Sequence, residues 1–309
     1  MTVSVFIDGA AGTTGLEIRD RLAGRSDLEL VILDEARRKD EAARREALND
    51  SDFAILCLPD DAARDAVRLA ADGRTRLIDA STAHRVAPGW TYGFPELTRD
   101  QADRIAAARM VSNPGCYPTG FLALVRPLVD AGLVPADWPL TVNAVSGYSG
   151  GGKGMIAEFE GGREDTAFRA YALALGHKHV PEMQRHAGLA HPPIFTPAVA
   201  RTYRGMVVEV PLPLHALPGR PTLASLRNAL AQAYAGAALV TVATDEPTLI
   251  RIEEHAGTDR MTLRVEGDDA AAQARLIATL DNLGKGAGGA AVQNLNLMAG
   301  LDPLAGLVL

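Results

Sequence analysis

The fold is decided by the stretch Val3–Gly15, VSVFIDGAAGTTG, in which an apolar run enters a turn with glycines spaced G-x-x-G-x-x-G. A helix-like sequence follows directly. In this order of strand, turn and helix, free N–H groups at the helix start can bind a pyrophosphate. The spacing differs from the standard G-x-G-x-x-G, and a plain glycine turn is the alternative. We favour nucleotide binding, and the predicted cofactor-binding residues here are Gly9, Gly12, Thr13, Thr14 and Gly15.

Outward from this loop, apolar runs alternate with helix-like stretches as far as Cys116. The predicted strands are Val3–Asp8, Leu28–Leu33, Phe53–Leu58, Arg76–Asp79 and Arg109–Ser112. The segments between them are rich in Ala, Leu, Glu and Arg, which favour helices. Short strands that are apolar on both faces and separated by helices indicate a parallel sheet covered by helices.

After Cys116 the strand-like runs become longer and fewer helices intervene. They are LTVNAVSGY, PPIFTPAVA, MVVEVPLPL, ALVTVA, TLIRIEE (248–254) and MTLRVEG. Helices are predicted at 119–133, 223–236, 270–286 (AAAQARLIATLDNLGKG) and 290–301. Several of the strands alternate polar with apolar residues, so we expect a mostly antiparallel sheet with helices on one face. The fold class is therefore α/β, a dinucleotide-binding domain followed by an α+β domain.

Composition limits the function classes. The chain has 309 residues, 47% of them hydrophobic and 22% charged, with a net charge of −7. An acidic chain is a poor nucleic-acid binder, since phosphate attraction needs a basic face. The two cysteines cannot build a disulfide scaffold. The first strand begins at Val3, which leaves no room for a leader, and no long apolar window suggests a membrane span. We expect a cytoplasmic protein with no nucleic-acid or membrane partner.

The segment after the second strand bears on the type of cofactor. Asp34 stands where an acidic residue would bind a ribose 2′-hydroxyl. Arg37, Arg38 and Lys39 follow at once and could hold a 2′-phosphate instead, or they could form a solvated helix start. The sequence permits NADP(H) without deciding between the two dinucleotides.

Cys116 is the candidate nucleophile. It follows a Pro-Gly turn in SNPGCYPTG, and a helix is predicted to begin near Pro118 or Thr119. A helix N-terminus stabilises a thiolate through its dipole and its free N–H groups. A packed, inert cysteine is the alternative at Cys116, and it is the simplest interpretation of Cys57, which lies in the apolar run AILCLP.

Histidines near a nucleophilic cysteine would serve as its acid or base. The segment GHKHVPE brings together His177, His179 and Glu182. If the segment is extended, the two histidines point to opposite sides, so one could face Cys116. The alternatives are a metal site, which the scattered remaining histidines make weak, and a pair of surface histidines. We predict no metal.

A second glycine-rich segment, SGYSGGGKG, runs from Ser146 to Gly154 after a predicted strand. With Lys153 it could bind a phosphate or carboxylate through main-chain N–H groups, or it could be a mobile surface loop. Its spacing is not that of a Walker motif, because Gly154 follows Lys153.

Together the first glycine motif, NPGCYPTG, SGYSGGGKG, GHKHVPE and the terminal AAVQNLNLM resemble the N-acetyl-gamma-glutamyl-phosphate reductase family, in the expected order and over nearly the whole chain. The chain length suggests the shorter of its two subfamilies. Aspartate-semialdehyde dehydrogenase and glyceraldehyde-3-phosphate dehydrogenase share this architecture more distantly.

The resemblance implies an NADP-binding domain over 1–116, completed by a C-terminal helix at 287–309, and a catalytic and oligomerisation domain over 117–286. It implies a homo-oligomer, a dimer or a tetramer. It also implies the NADPH-dependent reduction of N-acetyl-L-glutamyl 5-phosphate to the 5-semialdehyde in arginine biosynthesis, through a thioester. The alternatives are a related acyl phosphate, of aspartyl or aminoadipyl type, and a non-catalytic NADP-binding regulator.

The resemblance also distributes roles among residues. Cys116 is the nucleophile and His177 the base, with His179 as the alternate. The implied cofactor contacts beyond the first loop are Arg37, Arg38, Ser149, Gly150 and Asn294. The implied substrate contacts are Arg85, Asn113, Lys153 and Glu182. DASTAHR departs from the family's D-x-S-x-x-x-R segment at Ala83 and His84, where an acidic and an aromatic residue are common. Lys153 stands where longer members carry arginine, so it keeps the charge but loses the bidentate fork.

Overall fold

The computed structural model describes residues 2–70 and 73–309, and this part of the chain folds into two compact units. The first unit contains the described residues of Met1–Pro95 together with Asp100–Gly115 and Ala287–Val308. The second contains Glu96–Arg99 and Cys116–Gly286.

The first unit is built on a parallel sheet. Its strands are β1 (Val3–Asp8), β2 (Leu28–Val31), β3 (Phe53–Leu56), β4 (Arg76–Asp79), β5 (Thr91–Tyr92) and β6 (Met110–Ser112), in the order β2-β1-β3-β4-β6-β5. Its first helices are α1 (Thr13–Leu22), α2 (Glu41–Asp50), α3 (Asp60–Leu69) and α4 (Gln101–Ala107). The chain leaves β1 toward β2 on one side and reaches β3 on the other, so the carboxyl end of β1 is a topological switch point, where ligands bind in such sheets.

Both faces of this sheet are buried. Phe6 joins a cluster with side chains of α2 and α3, whereas its neighbours Val5 and Ile7 join a cluster with α1 on the opposite face. Alternation of side chains along a strand produces this division, which accounts for strands that are apolar on both faces.

The second unit is built on a mixed sheet. Its strands are β7 (Thr141–Gly147), β8 (Phe168–Ala170), β9 (Ile194–Ala200), β10 (Met206–Pro213), β11 (Val240–Val242), β12 (Met261–Asp268) and β13 (Gln273–Leu280), in the order β11-β12-β13-β10-β7-β9-β8. The pairs β11–β12 and β7–β9 are parallel and the other neighbouring pairs are antiparallel. The helices of this unit are α5 (Cys116–Asp130), α6 (Gly152–Glu160), α7 (Val180–Ala187) and α8 (Leu223–Ala233).

Helix α5 packs closely on this sheet at Gly120. A Cβ at Gly120 would lie 2.8 Å from Cγ2 of Val208 in β10 and 3.3 Å from Cδ2 of Leu280 in β13. After β13 the chain makes a π-helical turn, Gly284–Gly288, and enters α9 (Gly289–Ala299). Helix α9 belongs to the first unit, where Ala291, Val292 and Leu295 join the cluster around Ile7.

The α/β fold class expected from the sequence is confirmed, but two predicted elements are wrong. The helix predicted at 270–286 is mostly the strand β13, since pairing on both sides with β10 and β12 overrides the helix preference of its alanines. The strand predicted at 248–254 is a run of bends and turns. Turn hydrogen bonds, such as that from Glu254 N to the carbonyl oxygen of Arg251 at 3.2 Å, take the place of strand pairing in this segment.

Among the described helices, none is long and apolar enough to cross a membrane.

Candidate functional site

The glycine loop after β1 is shaped by close main-chain contacts. Gly9 has a φ of +89°, and a Cβ there would overlap the carbonyl oxygen of Cys57. A Cβ at Gly15 would overlap the carbonyl oxygen of Gly9, while Gly12 N donates to that same oxygen at 2.9 Å. Glycine is therefore required at both ends of the loop, because no side chain fits.

Helix α1 begins inside this loop without a side-chain cap. Its N-cap residue, Gly12, supplies no side-chain hydrogen bond to the first turn. Oγ1 of Thr13 is buried and has no hydrogen-bond partner within the described residues. Unsatisfied donors at a helix N-terminus next to a buried hydroxyl suit a phosphate group.

The predicted cofactor arginines lie after β2 on the protein surface. Arg37 pairs with Glu46 at 3.0 Å and Arg38 with Glu35 at 2.8 Å. These pairs are exposed, and such pairs contribute little to stability, so either guanidinium can exchange its carboxylate for a phosphate. Asp34 accepts a hydrogen bond from the main-chain N of Arg37 at 2.8 Å.

The end of β1 carries an ion pair that the sequence did not indicate. Asp8 is buried, and its Oδ2 accepts from Nη2 of Arg44 at 2.7 Å and from Nε at 3.1 Å. Burial raises the pKa of the neighbouring Cys57 thiol to about 12, with the carboxylates of Asp79 and Asp8 adding to the rise. Cys57 packs against the core of the first unit, as the sequence indicated.

The DASTAHR segment forms a hydrogen-bonded turn after β4. Asp79 is fully buried and accepts from Ser81 N at 2.9 Å and from Ser81 Oγ at 2.7 Å. Its Oδ2 lies 2.6 Å from Nδ1 of His84, whose ring stacks on Trp90 at a centroid distance of 4.2 Å. His84, one of the two residues that depart from the family pattern, thus makes an aromatic contact.

Arg85, one of the implied substrate contacts, is buried and hydrogen-bonded to main-chain oxygens. Its Nε donates to the carbonyl oxygen of Asn113 at 2.9 Å and its Nη2 to that of Ala80 at 3.1 Å. These bonds tie the turn after β4 to the end of β6 and fix the direction of the guanidinium.

Asn113 and Asn294 are brought together, although 181 residues separate them. Nδ2 of Asn294 donates to Oδ1 of Asn113 at 3.1 Å and to the carbonyl oxygen of Gly93 at 2.9 Å. Oδ1 of Asn294 is buried and finds no hydrogen-bond partner in the part of the chain that the structure describes. A buried acceptor in this state suits a ligand that carries an N–H donor, such as a carboxamide.

In the second unit Cys116 is the first residue of α5, two or three residues before the predicted helix start near Pro118 or Thr119. A Cβ at Gly286 would lie 2.9 Å from Cβ of Cys116, so the main chain of the π-helical turn backs onto the cysteine. The Cys116 charge contributes to the raised pKa values of Tyr117 and Tyr171, for which burial is the largest cause; the pKa of Tyr171 reaches about 12.

Tyr117 is the centre of an aromatic cluster that the sequence did not single out. It is buried, its hydroxyl donates to the carbonyl oxygen of Ala198 at 3.0 Å, and it accepts from the Tyr171 hydroxyl at 3.3 Å. The rings of His177 and His179 meet its ring edge-on at centroid distances of 6.3 and 5.9 Å. In the sequence, Tyr117 could have been singled out by its position directly after Cys116.

The segment of His177 and His179 is a loop that leads into α7, so the extended backbone that would point the two rings to opposite sides is not present. The two rings lie 4.7 Å apart. The main-chain N of His179 donates to Nδ1 of His177 at 3.1 Å. Because a main-chain N–H can only donate, Nδ1 is the acceptor, and the neutral ring of His177 carries its proton on Nε2. Glu182 lies in the first turn of α7 and is buried.

The second glycine segment is more ordered than a surface loop. Residues Tyr148–Gly151 form a 3₁₀ turn and α6 follows. Ser149 is buried and its Oγ accepts from Nδ2 of Asn282 at 2.9 Å, while Lys153 is exposed in the first turn of α6. Over the residues that the structure describes, no group of three or more His, Cys, Asp or Glu side chains could hold a metal ion.

Two family models match the chain. A semialdehyde dehydrogenase NAD-binding domain matches residues 35–105 and a semialdehyde dehydrogenase dimerisation domain matches 116–282. A protein of Brucella anthropi named N-acetyl-gamma-glutamyl-phosphate reductase is 54% identical, with 97% of this chain and 99% of that protein covered. A Nostoc protein named N-acetyl-gamma-glutamyl-phosphate reductase 2 is 51% identical, with 98% of each covered. The crystal structure of aspartate semialdehyde dehydrogenase II from Vibrio cholerae, complexed with ASA, superposes with a TM-score of 0.70 at 17% identity, over 97% of this chain and 98% of that one.

Proposed function

The chain belongs to the semialdehyde dehydrogenase family, among its N-acetyl-gamma-glutamyl-phosphate reductases, and we propose that it reduces N-acetyl-L-glutamyl 5-phosphate to N-acetyl-L-glutamate 5-semialdehyde with release of phosphate, a step of arginine biosynthesis. The observation that carries this proposal is Cys116 at the first position of α5, beside the histidine and tyrosine cluster. Relatives at 51–54% identity over almost the whole chain favour this substrate over aspartyl or aminoadipyl phosphate.

Cys116 would act as the nucleophile. Its thiolate adds to the acyl carbon of the substrate, the bond from that carbon to the phosphate oxygen breaks, and a thioester forms as phosphate leaves and takes up a proton. The N-terminus of α5 stabilises the thiolate through its free N–H groups. Reduction of the thioester and loss of the thiolate then give the aldehyde and restore Cys116.

His177 would act on the oxygen of the reacting carbonyl. With Nδ1 engaged by the main chain, the neutral ring presents Nε2–H, which can donate to the negative oxygen of the tetrahedral adducts on Cys116. It can take a hydroxyl proton as a base only after its ring proton has moved. His179 stays the alternate for proton transfer, and Glu182 and Lys153 stay predicted substrate contacts.

A nicotinamide dinucleotide is the cofactor that the first unit fits, as the family match to an NAD-binding domain supports. The N-terminus of α1 and Thr13 would hold its pyrophosphate, and Oδ1 of Asn294 would accept from its carboxamide. When bound, the reduced cofactor supplies the hydride that reduces the thioester. Among the remaining predicted contacts, Arg85 and Asn113 would orient the substrate. Ser149 and Gly150 would contact the cofactor.

NADPH would be preferred to NADH through Arg37 and Arg38, whose exposed guanidiniums can pair with a 2′-phosphate. Replacing both by alanine should raise the KM for NADPH about tenfold and leave that for NADH nearly unchanged. Equal KM values for the two cofactors in the unaltered enzyme would contradict this preference.

A second copy of the chain would be the partner. Four exposed apolar side chains lie on the edge strand β8, in the segment after it and at the start of the neighbouring strand β9, and we name them the β8 patch: Phe168, Leu173, Leu175 and Ile194. A cavity of about 360 Å³ is lined by Phe168, Leu173, Leu175 and neighbouring residues. The patch falls inside the segment that matches the dimerisation domain. A homo-oligomer of two or four copies would bury it, and the cytoplasm stays the expected location.

The test is turnover by the purified protein. NADPH oxidation should depend on N-acetylglutamyl phosphate, and in reverse the protein should reduce NADP⁺ with phosphate and N-acetylglutamate semialdehyde, but not with the aspartate or aminoadipate analogue. Cys116→Ala should abolish turnover, by at least about 10³-fold, and retain NADPH binding. Normal turnover by that variant would exclude the thioester route, and binding of NADPH without turnover by the unaltered protein would indicate a regulator.

A further inference from the structure

Lys285 and Glu96 form an ion pair in the interior of the second unit. Nζ of Lys285 lies 2.8 Å from both carboxylate oxygens of Glu96. The side chains of Lys285 and Glu96 are only 1% and 11% exposed. Removing two charges from water is costly, and apolar residues of the same size are often as stable, so a buried pair is best explained by the geometry it specifies.

Lys285 lies in the π-helical turn Gly284–Gly288, a kind of turn that is frequent at functional sites. Neighbouring contacts leave this turn little freedom. Gly286 N donates to the carbonyl oxygen of Asp281 at 2.9 Å, and the Asp281 carboxylate accepts from Leu283 N at 2.8 Å. The ion pair is thus one of several bonds that fix the path of the turn.

The main chain of the π-helical turn lies directly against Cys116, the candidate nucleophile. A Cβ at Gly286 would lie 2.9 Å from Cβ of Cys116 and 3.3 Å from its Cα. Glu96 also lies near Tyr234, because its charge contributes to the raised pKa of that buried phenol. The Tyr234 hydroxyl donates to the carbonyl oxygen of Ala123, two turns along the helix that Cys116 begins. Both ends of the ion pair are thus connected to the surroundings of Cys116.

We propose that the Lys285–Glu96 ion pair positions Cys116: it holds the π-helical turn in place, and the main chain of that turn at Gly286 holds the cysteine in its reactive orientation. Lys285 and Glu96 would be positioning residues, acting through Gly286 rather than on the substrate. The proposal rests on the proposed function insofar as Cys116 is the nucleophile of the reaction.

The test removes both charges while keeping the volume, in the double variant Lys285→Met with Glu96→Gln. For folded protein we expect kcat to fall at least about tenfold with KM changed less than about twofold, since small misplacement of a reacting group is costly. The matched control is Arg264→Met with Glu254→Gln, which removes another bidentate pair of the same unit, with distances of 3.0 and 2.6 Å. The control should keep its kcat. A kcat within twofold of the unaltered value in the Lys285 and Glu96 variant would overturn the proposal.

A second measurement tests whether the pair acts through Gly286. Gly286→Ala should also lower kcat, and the combined variant should lose less than the product of the two separate losses, because both changes displace the same cysteine. If the kcat of the combined variant falls by the full product of the two separate losses, the ion pair does not act through Gly286. If the double variant does not fold, Glu96→Gln alone, which keeps one hydrogen bond to Lys285, takes its place in both experiments.

Alkylation of Cys116 by iodoacetamide separates this proposal from the proposed function, since it needs no substrate. The double variant should react at least about threefold more slowly, because a displaced thiolate loses the stabilisation of the helix N-terminus. If the double variant is alkylated at the unaltered rate, the ion pair does not position Cys116, even if the enzyme turns over. If the double variant is alkylated more slowly but the unaltered protein lacks reductase activity, the positioning of Cys116 is supported and the proposed function is refuted.

Discussion

The two cysteines should differ sharply in reactivity. The pKa of Cys57 is raised to about 12 by burial and by the Asp79 and Asp8 carboxylates, so almost none of it is thiolate at pH 7.5. Cys116 begins a helix, where a thiolate is stabilised. Treating the folded protein with iodoacetamide at pH 7.5 should label Cys116 alone, as peptide mass spectrometry would show. Equal labelling of both residues would contradict the proposed nucleophile, and labelling in denaturant controls for peptide detection.

The two histidines of the loop before α7 should also differ. His177→Ala removes the Nε2–H that would donate to the reacting oxygen, and the loss of one such donor lowers kcat about 10²- to 10³-fold. His179→Ala is the variant to compare, because its main-chain N–H is unchanged. A larger loss of kcat in His179→Ala than in His177→Ala would move the proton-transfer role to His179.

The residue pattern identified these histidines but could not give their arrangement. Extended backbone predicts opposite directions for His177 and His179, whereas in the folded loop both rings contact the ring of Tyr117. Lys285 and Glu96 carried no signal in the sequence, because 189 residues separate them and each charge by itself looks like a surface residue. Pairings at such distances follow from the tertiary fold alone.

Elements were predictable where the local pattern and the tertiary contacts agree. β1 and β4 occupy the predicted residues, because their apolar runs are buried on both faces of a sheet. β13 was mistaken for a helix, since alanines favour helices locally and only the neighbouring strands β10 and β12 make this segment extended. In the glycine loop, Gly15 reflects a local contact with the carbonyl oxygen of Gly9, whereas the contact that requires Gly9 comes from Cys57, just after β3.

Close packing between α5 and its sheet predicts a difference between two helical glycines. Gly120→Ala would place a methyl group 2.8 Å from Val208, and overpacking of this kind costs about 1–3 kcal/mol of unfolding free energy. Gly154→Ala in α6 meets no neighbour within 4 Å, so it should stabilise by about 0.5–1 kcal/mol through better helix propensity. Urea unfolding of both variants measures this difference. A Gly120→Ala variant as stable as Gly154→Ala would show that α5 can move away from the sheet.

At the scale of the whole molecule, the same fold occurs in enzymes that act on different substrates. Solved aspartate semialdehyde dehydrogenases at 13–19% identity share the fold over nearly the full chain, with TM-scores of 0.69–0.72. The fold therefore does not choose between an aspartyl and an N-acetylglutamyl phosphate. The close relatives, which match nearly the whole chain, favour the N-acetylglutamyl substrate. We propose that Arg85, Lys153 and Glu182 are among the side chains that recognise it.

The β8 patch predicts that the chain associates with itself. Leu173 is 82% exposed, and it lies between Ala172 and Leu175, whose left-handed backbone (φ +54° and +61°) is strained for residues with side chains. A strained loop that presents an apolar side chain is well explained by a partner surface that covers it. Leu173→Glu should therefore shift the protein toward monomers, since an interface that buries an unpaired carboxylate is destabilised.

Sedimentation of the unaltered chain and of Leu173→Glu over a range of concentrations measures this shift. Leu249→Glu is the control, because Leu249 is also well exposed, at 63%, and lies outside the β8 patch. It should leave the oligomer intact. If the unaltered chain sediments as a monomer at micromolar concentration, the β8 patch is not an interface. If both glutamate variants dissociate alike, the loss of the oligomer is not specific to the β8 patch.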